Sequence, residues 1–445
     1  MQTRRERLGL EMTLLPSLEA MVPEDHHLRR LDRVLDLSFV HDAVRDRYCQ
    51  DNGRPSIDPE VVFRLFLLQA LEGIPHVRDL MRHVQVNLAY RWFIGYRLEE
   101  SLSDHSTLSR ALDRLGDEVF DKLFKRSIAQ CQASGLIEGK VLHVDATTIR
   151  ADINANRVNK PDSSDEDARF GRFPGGAKLP GYKQHTVVDG KARVVVGLSV
   201  TPANGSEHTE ALDVIDSALK HLDKPPEAVC ADTAYASGRH RVELDKRGIR
   251  LVSPPRKAKT YTGDGYFTTE DFTFDEDNDW FVCPAGNHLK FIRTEKGRGR
   301  REYRARRSHC RGCPMKSQCT KSNRRSLKVS SYHQGLVELR ADSKTDSFRQ
   351  LYSSRAPAVE GVFAEGKQWH GLRRAWRRGL RKMLVQCLLV ATILNFKRLA
   401  VCYCGLSALN VACRALLNLV TRLVSRLWRP NTNIGCHAPS SYYAT

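Results

Sequence analysis

Val141-Leu-His-Val-Asp-Ala-Thr-Thr-Ile-Arg150 is a run of apolar and β-branched residues with one carboxylate, Asp145, near its middle. Such a run reads as a buried strand. A carboxylate there is costly unless it is hydrogen-bonded, paired with a cation or set on a metal. The plain alternative is a strand-end Asp bonded to Thr147 or Thr148. Two more acidic stretches weigh against it. Cys230-Ala-Asp232-Thr-Ala-Tyr235 closes a second apolar run, and Tyr352-Ser-Ser-Arg355-Ala-Pro-Ala-Val-Glu360-Gly-Val-Phe363-Ala-Glu-Gly-Lys367 reads as helix. Three carboxylates from two strands and a helix can hold two divalent cations a few ångströms apart, which stabilises attacking and leaving oxygens in phosphoryl transfer. Glu360, Phe363 and Lys367 fall at i, i+3 and i+7, one helix face, with Glu360 toward the metals and Lys367 toward a phosphate. Glu365 is a rival third acid, but at five residues from Glu360 it points elsewhere. Pro357 predicts a helix start or kink before Glu360, and Gly366 weakens the helix by about 0.5–1 kcal/mol relative to Ala.

Outward from this centre, the chain changes period. Upstream, the turn-rich Gly53-Arg-Pro-Ser-Ile-Asp-Pro59 predicts a helix with Asp58 as N-cap and Pro59 at its first position. Helices over Val61–Leu71 and Val77–Val86 follow, then one capped by Asp104, then Val119–Leu136. Basic faces and tight turns there suit a helix-turn-helix-like DNA-binding unit, and equally a plain helical packing domain. Downstream, strands at Tyr182–Asp189, Arg193–Val200, Glu227–Asp232 and Ile249–Val252 alternate with helices at Glu207–Leu222 and Ser237–Arg247, an α/β layer structure. Asp189-Gly190 signals a hairpin, and 154–180 reads as a mobile loop. Helices return at Ser347–Tyr352, Pro357–Trp369 and Leu384–Leu399, with a basic tail helix over Leu406–Trp428 carrying Arg414, Arg422 and Arg426.

The chain has 445 residues, a formal charge of +19 and a pI near 9.5. Such a basic excess favours a polyanionic partner, nucleic acid before an acidic membrane. The longest apolar stretch, Met383–Leu394, is too short to span a bilayer. Arg4, Arg5 and Arg7 are followed by Glu11 and no cleavage site, so no signal peptide is expected and the placement is cytoplasmic. Lys290–Arg307, Arg324–Lys328 and Arg373–Lys382 are basic tracts suited to backbone phosphates.

Residues 255–345 break the α/β rhythm and hold Cys283-Pro-Ala-Gly286, Cys310-Arg-Gly-Cys313 and Cys319. Four cysteines with one Cys-x2-Cys pair suit a structural zinc site, with His309 or His288 as substitute ligands; four reduced thiols are the alternative. His185 and His208 read as structural or substrate-positioning residues near the acids.

Taken together, the stretches resemble the bacterial insertion-sequence transposases with an RNase H-like DDE catalytic domain and a helical N-terminal domain. The resemblance runs over most of residues 20–400. It is carried by Gly53-Arg-Pro with Asp58-Pro59, Tyr90-Arg-Trp-Phe93, Asp104-His-Ser-Thr-Leu108 and Val144-Asp145-Ala-Thr147. It continues through Gly181-Tyr-Lys-Gln-His185 with Asp189, Thr201-Pro-Ala-Asn204, Ala231-Asp232-Thr-Ala-Tyr235, Val359-Glu360-Gly-Val-Phe363 with Lys367, Arg377-Arg-Gly-Leu380 and Asn395. It implies an α/β fold, an RNase H-like mixed sheet with flanking helices, beside a helical N-terminal domain and a small β-rich, Cys-containing insertion. The expected division is 1–138 helical and DNA-binding, 139–254 catalytic core, 255–345 insertion, 346–400 the core's helical part, and 401–445 a basic tail. It implies that Asp145, Asp232 and Glu360 form the triad and bind two Mg²⁺ (or Mn²⁺) ions. It also implies that Tyr352, Arg355 and Lys367 form the signature around the third acid. Lys183, Arg373 and Arg374 are further DNA-contact candidates, and Arg355 is expected at the DNA backbone. The implied reaction is hydrolysis at the element's terminal inverted repeats, freeing a 3′-OH that then attacks target DNA. A homodimer on DNA, and no membrane, complete the expectation. The alternative is an inactive DNA-binding relic that represses the element.

Overall fold

The structure is a computed structural model that describes residues 17–48, 56–161, 163–256, 265–295 and 299–427, with backbone alone over 404–427. The Gly53-Arg-Pro turn, Arg4, Arg5 and Arg7 lie outside the described residues, as do the side chains of Arg414, Arg422 and Arg426.

Six strands form one sheet: β1 (Val141–Arg150), β2 (Arg169–Arg172), β3 (Lys178–Asp189), β4 (Val195–Pro202), β5 (Ala228–Ala231) and β6 (Arg250–Val252). β3 lies antiparallel beside β1 and also pairs β2 and β4, both antiparallel; on β1's other edge β5 and then β6 run parallel to it. Parallel pairing needs crossovers, and the Glu207–Leu219 and Gly238–Asp245 helices lie in them. The β3–β4 hairpin turns at Asp189-Gly190, as expected. The Asp189 carboxylate is fully buried and accepts the Gly139 and Lys191 amides at 2.8 and 3.0 Å.

The helical region begins where its signals put it. Asp58 accepts the Glu60 amide at 2.7 Å and Pro59 opens the Pro59–Leu71 helix. Val77–Val86 is a helix over those residues. Asp104 caps the next, which runs to Ala133 but breaks at Gly116, whose φ of +71° leaves two helices end to end. Leu88–Ile94 forms a further helix, ended by Gly95 at φ +73°.

One hydrophobic core runs through both regions, from Val61, Phe63 and Phe120 to Val144, Val187 and Leu388. The element that joins them is the long Leu380–Leu427 helix, packed against the His105–Ala133 helix, β4 and the Pro59–Leu71 helix. Asn395 holds that junction. It accepts the Val195 amide at 2.8 Å and donates to Val195 O and Ser127 Oγ at 2.9 and 3.1 Å. Within this helix Leu380–Tyr403 is long and apolar enough to cross a membrane, which corrects the shorter span expected from Met383–Leu394. It is the one such span among the described residues, and 78% of it is buried inside the fold, as a core helix would be.

The 154–180 stretch, expected to be a loop, contains β2 and the start of β3. Tyr182 Oη donates to buried Asp165 at 2.5 Å and accepts the Gly379 amide at 2.9 Å, while Asp167 accepts the Leu380 amide at 2.8 Å. The stretch thereby caps the start of the long helix. Residues 265–330 build a separate antiparallel sheet of five strands: β7 (Thr273–Asp275), β8 (Trp280–Val282), β9 (His288–Glu295), β10 (Arg300–Ala305) and β11 (Ser326–Ser330). Its own small core is made of Phe272, Phe281, Leu289, Tyr303, Ala305, Leu327 and Val329.

Candidate active site

β1 and β5 pair in parallel from Val141↔Ala228 to Val144↔Ala231. One step further sets Asp145 level with Asp232, the residue after β5 ends. Neighbouring strands lie about 4.8 Å apart, so the register puts the two acids side by side. The Asp232 turn is fixed: its carboxylate accepts the Ala234 amide at 2.8 Å and its carbonyl accepts the Ser253 hydroxyl at 2.5 Å.

The third acidic stretch docks on this pair through Arg355. Its guanidinium meets Asp145 at 2.7 Å, with the side chains 10% and 16% exposed. Burial pushes the Asp145 carboxyl up to about 6; the Arg355 charge and the Ala146 amide act against this, and the charges of Asp232 and Glu207 add to it. Asp232 is also raised, by burial first and then by Glu207, against the Ala234 amide and Arg355. One guanidinium therefore stands against two half-buried carboxylates. Glu207 opens the helix after β4 and bonds to Lys183 at 2.9 Å. The Tyr235 hydroxyl is buried without a hydrogen-bond partner; burial and the charges of Glu207, Asp145 and Asp232 all resist its ionisation. Burial and Arg355 push His143 down to about 4, so it is neutral at pH 7. His185, also pushed to about 4 by burial and Lys183, sits 3.0 Å from the Thr201 hydroxyl, and the His208 ring lies against His240 at 4.4 Å.

The third helix runs Arg355–Trp369, with the Asp346–Ser353 helix immediately before it. Pro357 lies in its first turn, where its missing N–H costs nothing, and the helix begins two residues earlier than Pro357 implied. Ala358, Val359, Val362, Phe363 and Gly366 make its buried stripe. Gly366 is a close approach: a Cβ there would lie 2.7 Å from Leu372 Cδ1. Glu360 is exposed, and five residues at about 100° each set it roughly 140° round from Arg355. Phe363 is in the core and Lys367 is half-buried, its ammonium made less basic by burial and by Arg373. The three thus differ in burial along the face where the sequence grouped them.

Glu365 has a different task. It pairs with Lys397 and with Arg398 (2.6 Å), both on the long helix, and lies 3.8 Å from His370. Burial alone would raise its pKa, but these partners hold it well below the usual carboxylate range. It ties two helices together.

Several expected DNA contacts are engaged internally. Arg355 faces Asp145, Lys183 faces Glu207, and Arg374 pairs with Asp152. Tyr352 stacks on Phe348 at 6.0 Å beside Cys230 and Val252. Arg381 and Lys382 pair with Asp117 and Asp113 on the helical region. Arg373 is exposed. Glu207 is the site residue the sequence did not single out. An acid in the first turn of a helix is ordinary, and only the fold sets it near Asp145 and Asp232. Among the described residues, no group of three or more His, Cys, Asp or Glu stands close enough to hold a metal ion.

Two family models match the chain: Transposase domain (DUF772) over residues 16–114 and Transposase DDE domain over residues 282–400. Together the two models support a DDE-type transposase. The second match spans Glu360 and the four clustered cysteines; Asp145 and Asp232 fall outside both. No curated protein matches the chain. Among solved structures it is similar to the piggyBac transposase synaptic complex with hairpin DNA, at 10% identity and a TM-score of 0.37, over 91% of this chain and 82% of that one. It is also similar to the Mos1 transposase paired-end complex with left transposon end, at 10% identity and a TM-score of 0.17, over 46% and 61%. Similarities this weak do not establish a common fold.

Proposed function

We propose that this transposase cleaves DNA at the terminal inverted repeats of an insertion sequence and joins the freed ends to target DNA. The observation that carries the reading is the half-buried pair Asp145 and Asp232, level where two adjacent parallel strands run, with the Glu360 helix docked on it through Arg355. The strand order β4-β3-β1-β5-β6, two antiparallel neighbours and then two parallel, supports an RNase H-like catalytic core. The donor set fits hard divalent cations: oxygen ligands in a half-buried place where cationic charge is short. Asp145 and Asp232 would be ligands, and Glu360, exposed on its helix, would complete the triad when brought round to them. Two Mg²⁺ or Mn²⁺ ions, when bound there, supply charge at the attacking and leaving oxygens.

The chain's own residues do the rest. Burial raises both the Asp145 and Asp232 carboxyls, so a bound cation would stabilise their charged form, and Arg355 keeps Asp145 in place. Lys367, on the flank of the helix near Glu360, meets a phosphate. Exposed Arg373, beside the end of β1, adds affinity for the backbone without reading sequence. Strand transfer joins two ends at once, so at least two protomers act on DNA.

The test is cleavage of a duplex carrying the DNA ends that flank the gene, with and without Mg²⁺, comparing wild type, Asp145→Asn and Glu360→Gln. Nicking at the element boundary, lost in both variants, is the expected result. Tight binding without nicking in all three proteins would overturn it and leave a DNA-binding relic.

A further inference from the structure

Among the described residues, the insertion sheet has a core of only seven buried apolar or aromatic residues. Cores this small ordinarily need a covalent or metal staple. At one end of the sheet, Cys283, Cys310, Cys313 and Cys319, separated by up to 36 positions in sequence, line a single cavity of about 20 Å³. That is room for one ion or one water. The three segments that bring the thiols there are short and internally fixed. Cys283 follows β8 in a tight turn: its amide donates to Asn287 O at 2.9 Å, and the Asn287 amide donates to its sulfur at 3.3 Å. Cys310 lies in the Arg307–Arg311 helix, with Cys313 two residues beyond it. Cys319 ends the Lys316–Cys319 helix, and its carbonyl accepts from Arg325 at 2.7 Å.

We propose that Cys283, Cys310, Cys313 and Cys319 are the ligands of one structural zinc ion that clamps these three segments to the sheet. Sulfur donors select zinc over the hard cations of the carboxylate site, and four protein ligands leave no open position for chemistry. The Cys283 sulfur already accepts one amide, and Lys316 and Arg325 stand around the cavity with the four thiols. All four cysteines are free, so their sulfurs are available as ligands. The thiols line the cavity without having closed on one point, and binding draws them in. His309 also lines it, with its Nδ1 buried and unpartnered, and is the neighbour best placed to bond a ligand sulfur. His288 is instead stacked on Trp280 at 4.4 Å.

The experiment uses the full chain, purified without a histidine tag. Elemental analysis should give one zinc per chain. Titration with an organomercurial should release it in step with four thiols, and cobalt(II) exchange should give the visible absorption of a tetrahedral thiolate site. Cys313→Ser should lose the metal, while Cys387→Ser, buried in the long helix, should keep it. If Cys313→Ser does not fold, the thiol-to-zinc ratio and the cobalt spectrum of the wild type decide alone. Metal-free protein with four freely reacting thiols, two disulfides among these cysteines, or zinc retained in a folded Cys313→Ser would each overturn the proposal. DNA nicking plays no part in these readouts, so the zinc site stands or falls separately from the transposition chemistry.

Discussion

Glu302 and Asp145 are both acids on interior strands, one in each sheet, and their surroundings push them opposite ways. Glu302 on β10 accepts from Arg304 at 2.7 Å, Ser326 at 3.0 Å and Arg293 at 3.0 Å. Burial alone would raise its pKa, but these bonds outweigh it and hold the carboxyl at about 2. Asp145 on β1 has one guanidinium and one amide, and burial wins, at about 6. All three of Glu302's partners lie in the sheet, Arg293 across from it on β9, Arg304 along β10 and Ser326 on β11, where cross-strand pairing brings side chains together. Asp145 faces another acid instead. A saturated buried acid is part of the scaffold, whereas an under-compensated one marks a place built for a cation or a reacting group. Glu365, held down by Lys397, Arg398 and His370, belongs with Glu302.

The largest expected effect follows from that contrast. Asp145→Asn should reduce nicking at least about a thousandfold, roughly 4 kcal/mol of transition-state stabilisation. It should change folding stability at pH 8 by no more than about 1 kcal/mol, because the charge it removes is one that burial already disfavours. Chemical denaturation beside the nicking assay measures both. An Asp145→Asn protein that unfolds would place Asp145 with Glu302, and the contrast would fail.

Glu302→Gln should do the reverse: nearly full nicking by the folded protein, but a loss of about 2 kcal/mol of stability confined to the insertion. The pH dependence follows from the depressed carboxyl. Its stabilisation is fully present above the unfolded value of about 4.3 and is lost as pH falls through about 2. Amide hydrogen exchange of β9 to β11 should therefore separate wild type from variant at pH 6 and bring them together near pH 2. A difference that does not shrink would mean packing, not charge, sets the effect.

Local chemistry made much of this legible in sequence. The Asp58 cap, the Val77–Val86 helix, the Asp189-Gly190 hairpin and the strands bearing Asp145 and Asp232 are set by neighbours a few residues apart. The seven-residue Leu88–Ile94 helix is not legible in the sequence, because a stretch that short has too little periodicity to stand out. What composition concealed was long-range. The 154–180 stretch is rich in Asp, Ser, Gly and Pro, and only the fold pairs Asp165 with Tyr182 and Asp167 with Leu380. Glu207 enters the site by the same route, through strand order rather than spacing. The Glu360 position was legible as a motif but not as a geometry, since Phe363 on the same expected face is in the core.

The basic tract Arg373–Lys382 gives the smallest effect and the finest test. In sequence its residues look alike, yet Arg381 is paired with Asp117 while Arg373 is exposed. Each phosphate neutralised by a side chain releases condensed counterions, so log K falls with log salt by roughly 0.9 per contact on duplex DNA. Arg373→Ala should lower that slope by about 1 and weaken binding alike across sequences. Arg381→Ala should lower it by less, because an Arg381 held by Asp117 neutralises that carboxylate rather than a phosphate. Binding titrations of both variants from low to moderate salt give the two slopes. Equal slopes would mean that the Asp117 pair opens on DNA and that the whole tract, not its exposed end, meets the backbone.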